Sequence, residues 1–266
     1  MKRPSSVSAG GYMEELLGQG RYTFSRREAV RRLRSTPRAA YMALHRLALA
    51  GRLAMPRSGF YVIVDAQHRS AGILPPEWFV HDLMADLGRP YYVGLLSAAQ
   101  IHGAAHHRPQ EFQVVIPGRA VRPVVAGNVR FRFHGKGLFE RAETVEVKTP
   151  TGSMKVSGPE TTAWDLVRYP HAAGGLDNVA TVLKELVARL DSRRLRDTAR
   201  RHGELVVVQR LGYLLDRVGG RGRAAALAGL VAKAPLRLLD PSRPAQGGRE
   251  DGRWHILANV RVEAES

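Results

Sequence analysis

Residues 35 to 53 read STPRAAYMALHRLALAGRL, and the fold turns on what this stretch builds. Thr36 can accept from the free amides of a first helical turn, and Pro37, with no N–H to lose, suits the first helical position. Ala40, Leu44, Leu47 and Ala48 recur at i, i+4, i+7 and i+8, which makes one apolar stripe. Gly51 then stops the helix. The opposite face carries Arg38, Tyr41, Met42, His45 and Arg46.

Upstream, Ser25 followed three residues later by Glu28 is a capping-box pattern that predicts a helix over about Arg26 to Leu33. Downstream, RLAMPRSGFYVIV gives two short β-like runs joined by Pro56, Arg57, Ser58 and Gly59. Helix, short turn, capped basic helix and hairpin is the order of a winged helix-turn-helix, whose second helix enters the major groove while the hairpin lies beside the backbone. On that expectation Arg38, Tyr41, Met42 and His45 face base edges and Arg46 a flanking phosphate. Arg57 sits at the wing tip against phosphate or minor groove, and Arg26, Arg27, Thr36 and Ser58 complete the DNA-binding set. A basic amphipathic helix taken alone is also an ordinary solvated face, and winged helices also bind protein.

Charge agrees with the first reading. The 266 residues hold 41 lysines and arginines against 24 acids, a formal charge of +17 that favours polyanions. The first 65 residues hold twelve of those bases and four of the acids, about half the excess in a quarter of the chain. There is no cysteine, which excludes thiol nucleophiles, zinc–cysteine sites and disulfides. No apolar leader and no stretch near ~18 apolar residues is visible, so the expectation is a soluble cytoplasmic protein. The length suggests two domains, 1–70 carrying the winged helix-turn-helix and 71–266 a larger one, in an α+β chain.

In the second part, Pro75 and Pro76 open a helix near Glu77 to Leu87, and YYVGLLSAAQIHG reads as a further helix with Tyr92, Leu95, Leu96 and Ala99 inward. His102, His106 and His107 invite a metal, but no acid stands at helical reach and no HExxH pattern occurs, so satisfied or exposed histidine is the expectation. EFQVVIPG, VRFRFHG and AETVEVKT predict a small antiparallel sheet within residues 111 to 157.

That sheet holds the chief enzymatic alternative, a Mg²⁺-dependent DNA nuclease. Glu146-Val147-Lys148 has the E-x-K form in which a strand acid binds Mg²⁺ and the lysine positions water and phosphate. No upstream aspartate supplies the second carboxylate, and charges alternating on a wet strand face explain the pattern equally. Glu160 and Asp165, five apart, fall on different helix faces and suit structure better than paired acid–base chemistry. Arg193, Arg194, Arg196, Arg200 and Arg201 form a second candidate patch, facing nucleic acid or a partner protein, or are a solvated helix end. The closing RWHILANVRVEAE reads as a strand with Trp254 and Ile256 on one face.

The basic winged helix followed in order by YYVGLLSAAQIHG, VSGPETTAWDLVRYPHAAGGLDNVATVLKEL, VQRLGYLLD and RWHILANVRVE resembles the AbiEi antitoxins of bacterial abortive-infection toxin–antitoxin systems. The resemblance covers nearly the whole chain and rests on the ordered set, since no single motif is diagnostic. It implies a non-enzymatic, cofactor-free repressor that binds inverted repeats in its own promoter through the N-terminal domain. It further implies a C-terminal domain that counters a cognate nucleotidyltransferase-like toxin in a type IV arrangement, which needs no stable complex between the two.

Overall fold

A helix that the sequence reading passed over comes first. Ser8 accepts from the Gly11 amide at 3.0 Å and caps α1 (Ala9–Gly18) in the computed structural model, which describes residues 7–104 and 110–265. Two glycines in its first turn hide the helical signal, yet Tyr12, Met13 and Leu16 are buried. After β1 (Thr23–Ser25), the capping box of α2 (Arg26–Leu33) forms in full: the Ser25 hydroxyl accepts from the Glu28 amide at 3.2 Å, and the Glu28 carboxylate from the Ser25 amide at 2.7 Å. Arg34, left-handed at φ 48°, ends α2, and α3 (Pro37–Leu49) begins where Thr36 accepts from the Ala39 amide at 3.2 Å.

The hairpin follows as β2 (Leu53–Arg57) and β3 (Phe60–Ile63), and β3 also pairs with β1 to give a three-stranded antiparallel sheet of order β1-β3-β2. Alternation along β3 divides its side chains between two cores. Tyr61 and Ile63 join Leu16, Phe24 and Leu44 under α1–α3, whereas Phe60 and Val62 join Leu74, Phe79, Val114 and Phe131 on the other side. Strand β3 is therefore buried on both faces, while Met55 of β2 stays exposed.

Next come α4 (Val80–Asp86), β4 (Tyr92–Val93), α5 (Leu95–Ile101), β5 (Phe112–Pro117), β6 (Val124–Ala126), β7 (Val129–Lys136), β8 (Thr144–Thr149) and β9 (Gly152–Ser157). The strands form one six-stranded sheet of order β6-β7-β5-β4-β9-β8, in which β5/β7 and β4/β9 run parallel. Two expectations are corrected here. The sheet is larger than the small antiparallel one foreseen and is mixed, because β6 inserts an antiparallel turn that brings β7 back alongside β5 in the same direction. YYVGLLSAAQIHG is not all helix either: Tyr92 and Val93 are a central strand, fully buried, and a continuous apolar run carries no period that separates buried strand from buried helix. Gly94 makes the turn between them, since a Cβ there would stand 2.7 Å from Val115.

The rest is mainly helical: α6 (Pro159–Arg168), α7 (Leu176–Leu186), α8 (Ser192–His202), α9 (Leu205–Arg217) and α10 (Arg221–Val231). A small sheet closes the chain, with β12 (Ile256–Ala258) between β10 (Arg237–Leu238) and β11 (Arg249–Asp251). Strand β12 is shorter than expected, and Trp254 lies just before it. Both Trp254 and Ile256 are buried in the helical core with Trp164, Leu183 and Leu211. The architecture is α+β.

Candidate nucleic-acid interface

The stripe on α3 divides the helix as its spacing predicts. Ala40 and Leu44 are buried, Leu47 and Ala48 pack on the same core, and Arg38, Tyr41, Met42, His45 and Arg46 are exposed. Tyr41 and Met42 leave 38% and 48% of their surface in water. Arg26 lays its guanidinium 5.4 Å from the Tyr41 ring, and Tyr41 in turn leans on His45 at 5.8 Å. The three side chains thus form a ledge across α2 and α3. The first amide of α2, that of Arg26, donates to the Gly59 carbonyl at 2.7 Å, which sets the Ser58–Gly59 turn against the start of that helix.

Charge is sorted by side. Arg21, Arg32, Arg52 and Arg57 are paired with Glu28, Glu15, Glu14 and Asp86. Arg27, Arg31, Arg34, Arg38 and Arg46 are exposed and have no ion pair among the described residues. Arg31 and Arg34 were not among the expected site residues. Their signal was the basic end of α2, where arginines answer the carbonyl end of the helix dipole and need no acid. The resulting face presents five exposed guanidiniums that have no ion pair among the described residues, with Thr36 spent on its cap and Ser58 exposed at the hairpin tip.

Arg57 stands elsewhere than at a free wing tip. Its Nη1 pairs with the Asp86 carboxylate and also donates to the Asp86 carbonyl at 3.2 Å, so it fastens the hairpin to the end of α4.

The other candidates separate. Glu146 and Lys148 are both exposed on β8, the edge strand of the large sheet, opposite Lys155 and Ser153. Among the described residues no group of three histidines or acids could hold a metal. His102 has its Nε2 2.7 Å from the Ser157 carbonyl, while His106 and His107 lie outside the described residues. On α8, Arg194 and Arg201 clamp Glu143 at 2.6 and 2.7 Å, and the Arg201 bond holds that carboxyl well below the usual range. Arg196 lies 4.0 Å from Asp197, which leaves Arg193 and Arg200 as the free charges of that patch.

Sequence reasoning missed one buried polar cluster. Lys136 donates to Asp165 at 2.7 Å and to the Tyr92 hydroxyl at 3.0 Å, and that hydroxyl donates to the other Asp165 oxygen at 2.7 Å. All three side chains are buried, and burial followed by the Asp165 charge pushes the Tyr92 phenol far up. Each group satisfies the others. The cluster joins β4, β7 and α6, and no exposed edge offers it to a substrate.

With this geometry in place, residues 92–217 match the family model of the AbiEi antitoxin C-terminal domain. The RV2827C protein from Mycobacterium tuberculosis, known from a crystal structure, shares the fold: 17% identity over 96% of this chain and 92% of that one, with a TM-score of 0.69. No curated protein matches.

Proposed function

From the match of residues 92–217 to the AbiEi antitoxin C-terminal domain, we propose that this chain is the antitoxin of a type IV system that binds its own promoter through residues 26–58. The observation that carries the DNA reading is the exposed basic face of α2 and α3: Arg27, Arg31, Arg34, Arg38 and Arg46 are exposed with no ion pair among the described residues, beside the Arg26–Tyr41–His45 ledge and exposed Met42. As a winged helix-turn-helix, α3 enters the major groove with Arg38, Tyr41, Met42 and His45 toward base edges. Arg27, Arg31, Arg34 and Arg46 track phosphates and supply the salt-sensitive part of the affinity. Two copies on an inverted repeat gain effective concentration, and their occupancy excludes polymerase.

Antitoxin action against a nucleotidyltransferase-like toxin belongs, on this reading, to residues 71–266 and requires no stable complex. On α8, Arg193 and Arg200 are the charges without an ion pair among the described residues, and they are placed to meet an acidic toxin or its nucleic-acid substrate. Charge reversal at both with undiminished protection would remove them from that role.

Arg38→Ala tests the groove assignment. Mobility shifts on the upstream DNA are expected to show affinity weakened by ~1–3 kcal/mol together with relaxed base preference. Parent-like affinity in Arg38→Ala would show that α3 does not read the site.

A further inference from the structure

A cavity of about 920 Å³ opens where the end of α6, the start of α7, α9 and the segment after β12 meet, within the range of small-molecule sites. Arg210 of α9 stands in its wall. Nε and Nη2 of Arg210 both donate to the Leu238 carbonyl, at 3.2 and 3.0 Å, which fixes the guanidinium plane. Among the described residues no carboxylate lies within ion-pair distance of it; Asp240 acts only through space, and burial pulls the Arg210 pKa down. A half-buried cation is thereby left without its counter-charge, an arrangement that an external anion would relieve.

The facing loop carries Arg243, which also lacks an ion pair among the described residues. Asn259 fixes this loop: Oδ1 accepts from the Asp240 amide at 3.0 Å, and Nδ2 donates to the carbonyls of Asp240, Arg243 and Pro244 at 2.8, 3.0 and 3.2 Å. Asp240, the acid beside these cations, spends Oδ1 on the Ser242 amide and hydroxyl at 2.9 and 2.6 Å. His171 adds a third basic group at this wall; the second acid of the lining, Asp177 in the first turn of α7, spends its Oδ1 on the Glu263 amide at 3.0 Å. Leu239, Pro241 and Val260 give the cavity an apolar side.

We propose that this cavity binds a phosphorylated small molecule of nucleotide size, its phosphate held by Arg210, Arg243 and His171, and its apolar part against Leu239, Pro241 and Val260. Arg243 and Asn259 lie beyond the family-matched segment, and the site is independent of the basic N-terminal face. Calorimetric titration of the full chain at fixed ionic strength, with ATP and separately with inorganic pyrophosphate, tests it. ATP is expected to bind saturably and one to one, with pyrophosphate about tenfold weaker for want of an apolar part. Arg243→Gln and His171→Ala, both outside the packed core, are each expected to lower ATP affinity by about tenfold, while Arg38→Ala leaves it unchanged. No saturable heat, equal affinity for pyrophosphate, parent-like binding in the Arg243→Gln/His171→Ala double variant, or loss of binding in Arg38→Ala would each overturn the proposal.

Discussion

His202 stacks on Trp164 with ring centroids 5.0 Å apart, and neither of its ring nitrogens has a hydrogen-bond partner. Burial, with Lys136, Arg201 and Arg141 nearby, pushes its pKa down to about 3. Between that value and the ordinary ~6.5 the unfolded chain binds a proton that the folded chain refuses, so stability rises with pH through this window and is lost as pH falls. His202→Phe keeps the ring stack and removes the proton; its stability curve from pH 6.5 down to 4.5 is expected to be flatter than the parent's, as measured by urea midpoints. An unchanged slope would contradict the assignment. Gly212 offers a second residue-level test. Helix propensity favours alanine there by ~1 kcal/mol, but a Cβ would sit 2.1 Å from the Trp254 ring, which is fully buried and anchored through Nε1 to Asp216 at 2.9 Å. Gly212→Ala is therefore expected to destabilise by ~1–3 kcal/mol net, and a raised melting temperature would show that the tail can shift. Tyr41 and Met42 were legible as exposed because spacing alone assigns helix faces. Arg57 was not legible as a tether, since its partner Asp86 is 29 residues away and charge along a chain carries no distance.

Among the elements, β4, β7 and α6 are joined by the Tyr92–Lys136–Asp165 cluster. Lys136→Met leaves the Asp165 charge buried with one neutral partner, and a loss of ~3–5 kcal/mol is expected by chemical denaturation. Lys136→Met/Asp165→Asn should lose less than the sum of the single changes, because the introduced amide is uncharged yet still accepts from Tyr92; strict additivity would show that the cluster does not act as a unit. The cap of α3 is a smaller matter: Thr36→Ala removes the acceptor for the Ala39 amide and is expected to cost about 1 kcal/mol. Caps and hairpins were readable because they are written within a few residues, as Ser25, Glu28, Thr36, Pro37 and Gly59 show. The mixed sheet was not. Its parallel pairs join strands whose register is decided by burial of Val114, Phe131 and Val156 together, and no local spacing encodes which strands meet.

Across the whole molecule the formal charge of +17 is unevenly engaged. Arg32, Arg52 and Arg57 are tied to acids, whereas Arg27, Arg31, Arg34, Arg38 and Arg46 carry no ion pair among the described residues, so positive charge is left uncompensated where α3 is exposed. Composition made a polyanion partner legible, and the cap and hairpin order located it. Which arginines remain free was beyond the sequence, because ion pairs such as Arg194–Glu143 and Arg57–Asp86 depend on the tertiary fold. The most direct measurement is a mobility-shift salt series of the full chain on its own upstream DNA, with scrambled competitor and Mg²⁺ present. Four phosphate-tracking arginines per copy, Arg27, Arg31, Arg34 and Arg46, predict a log–log slope of affinity against salt of roughly −4 per bound copy, with intact, retarded DNA that resists the competitor. Binding that the scrambled competitor abolishes, a slope near zero, or cleavage of the DNA would contradict the account.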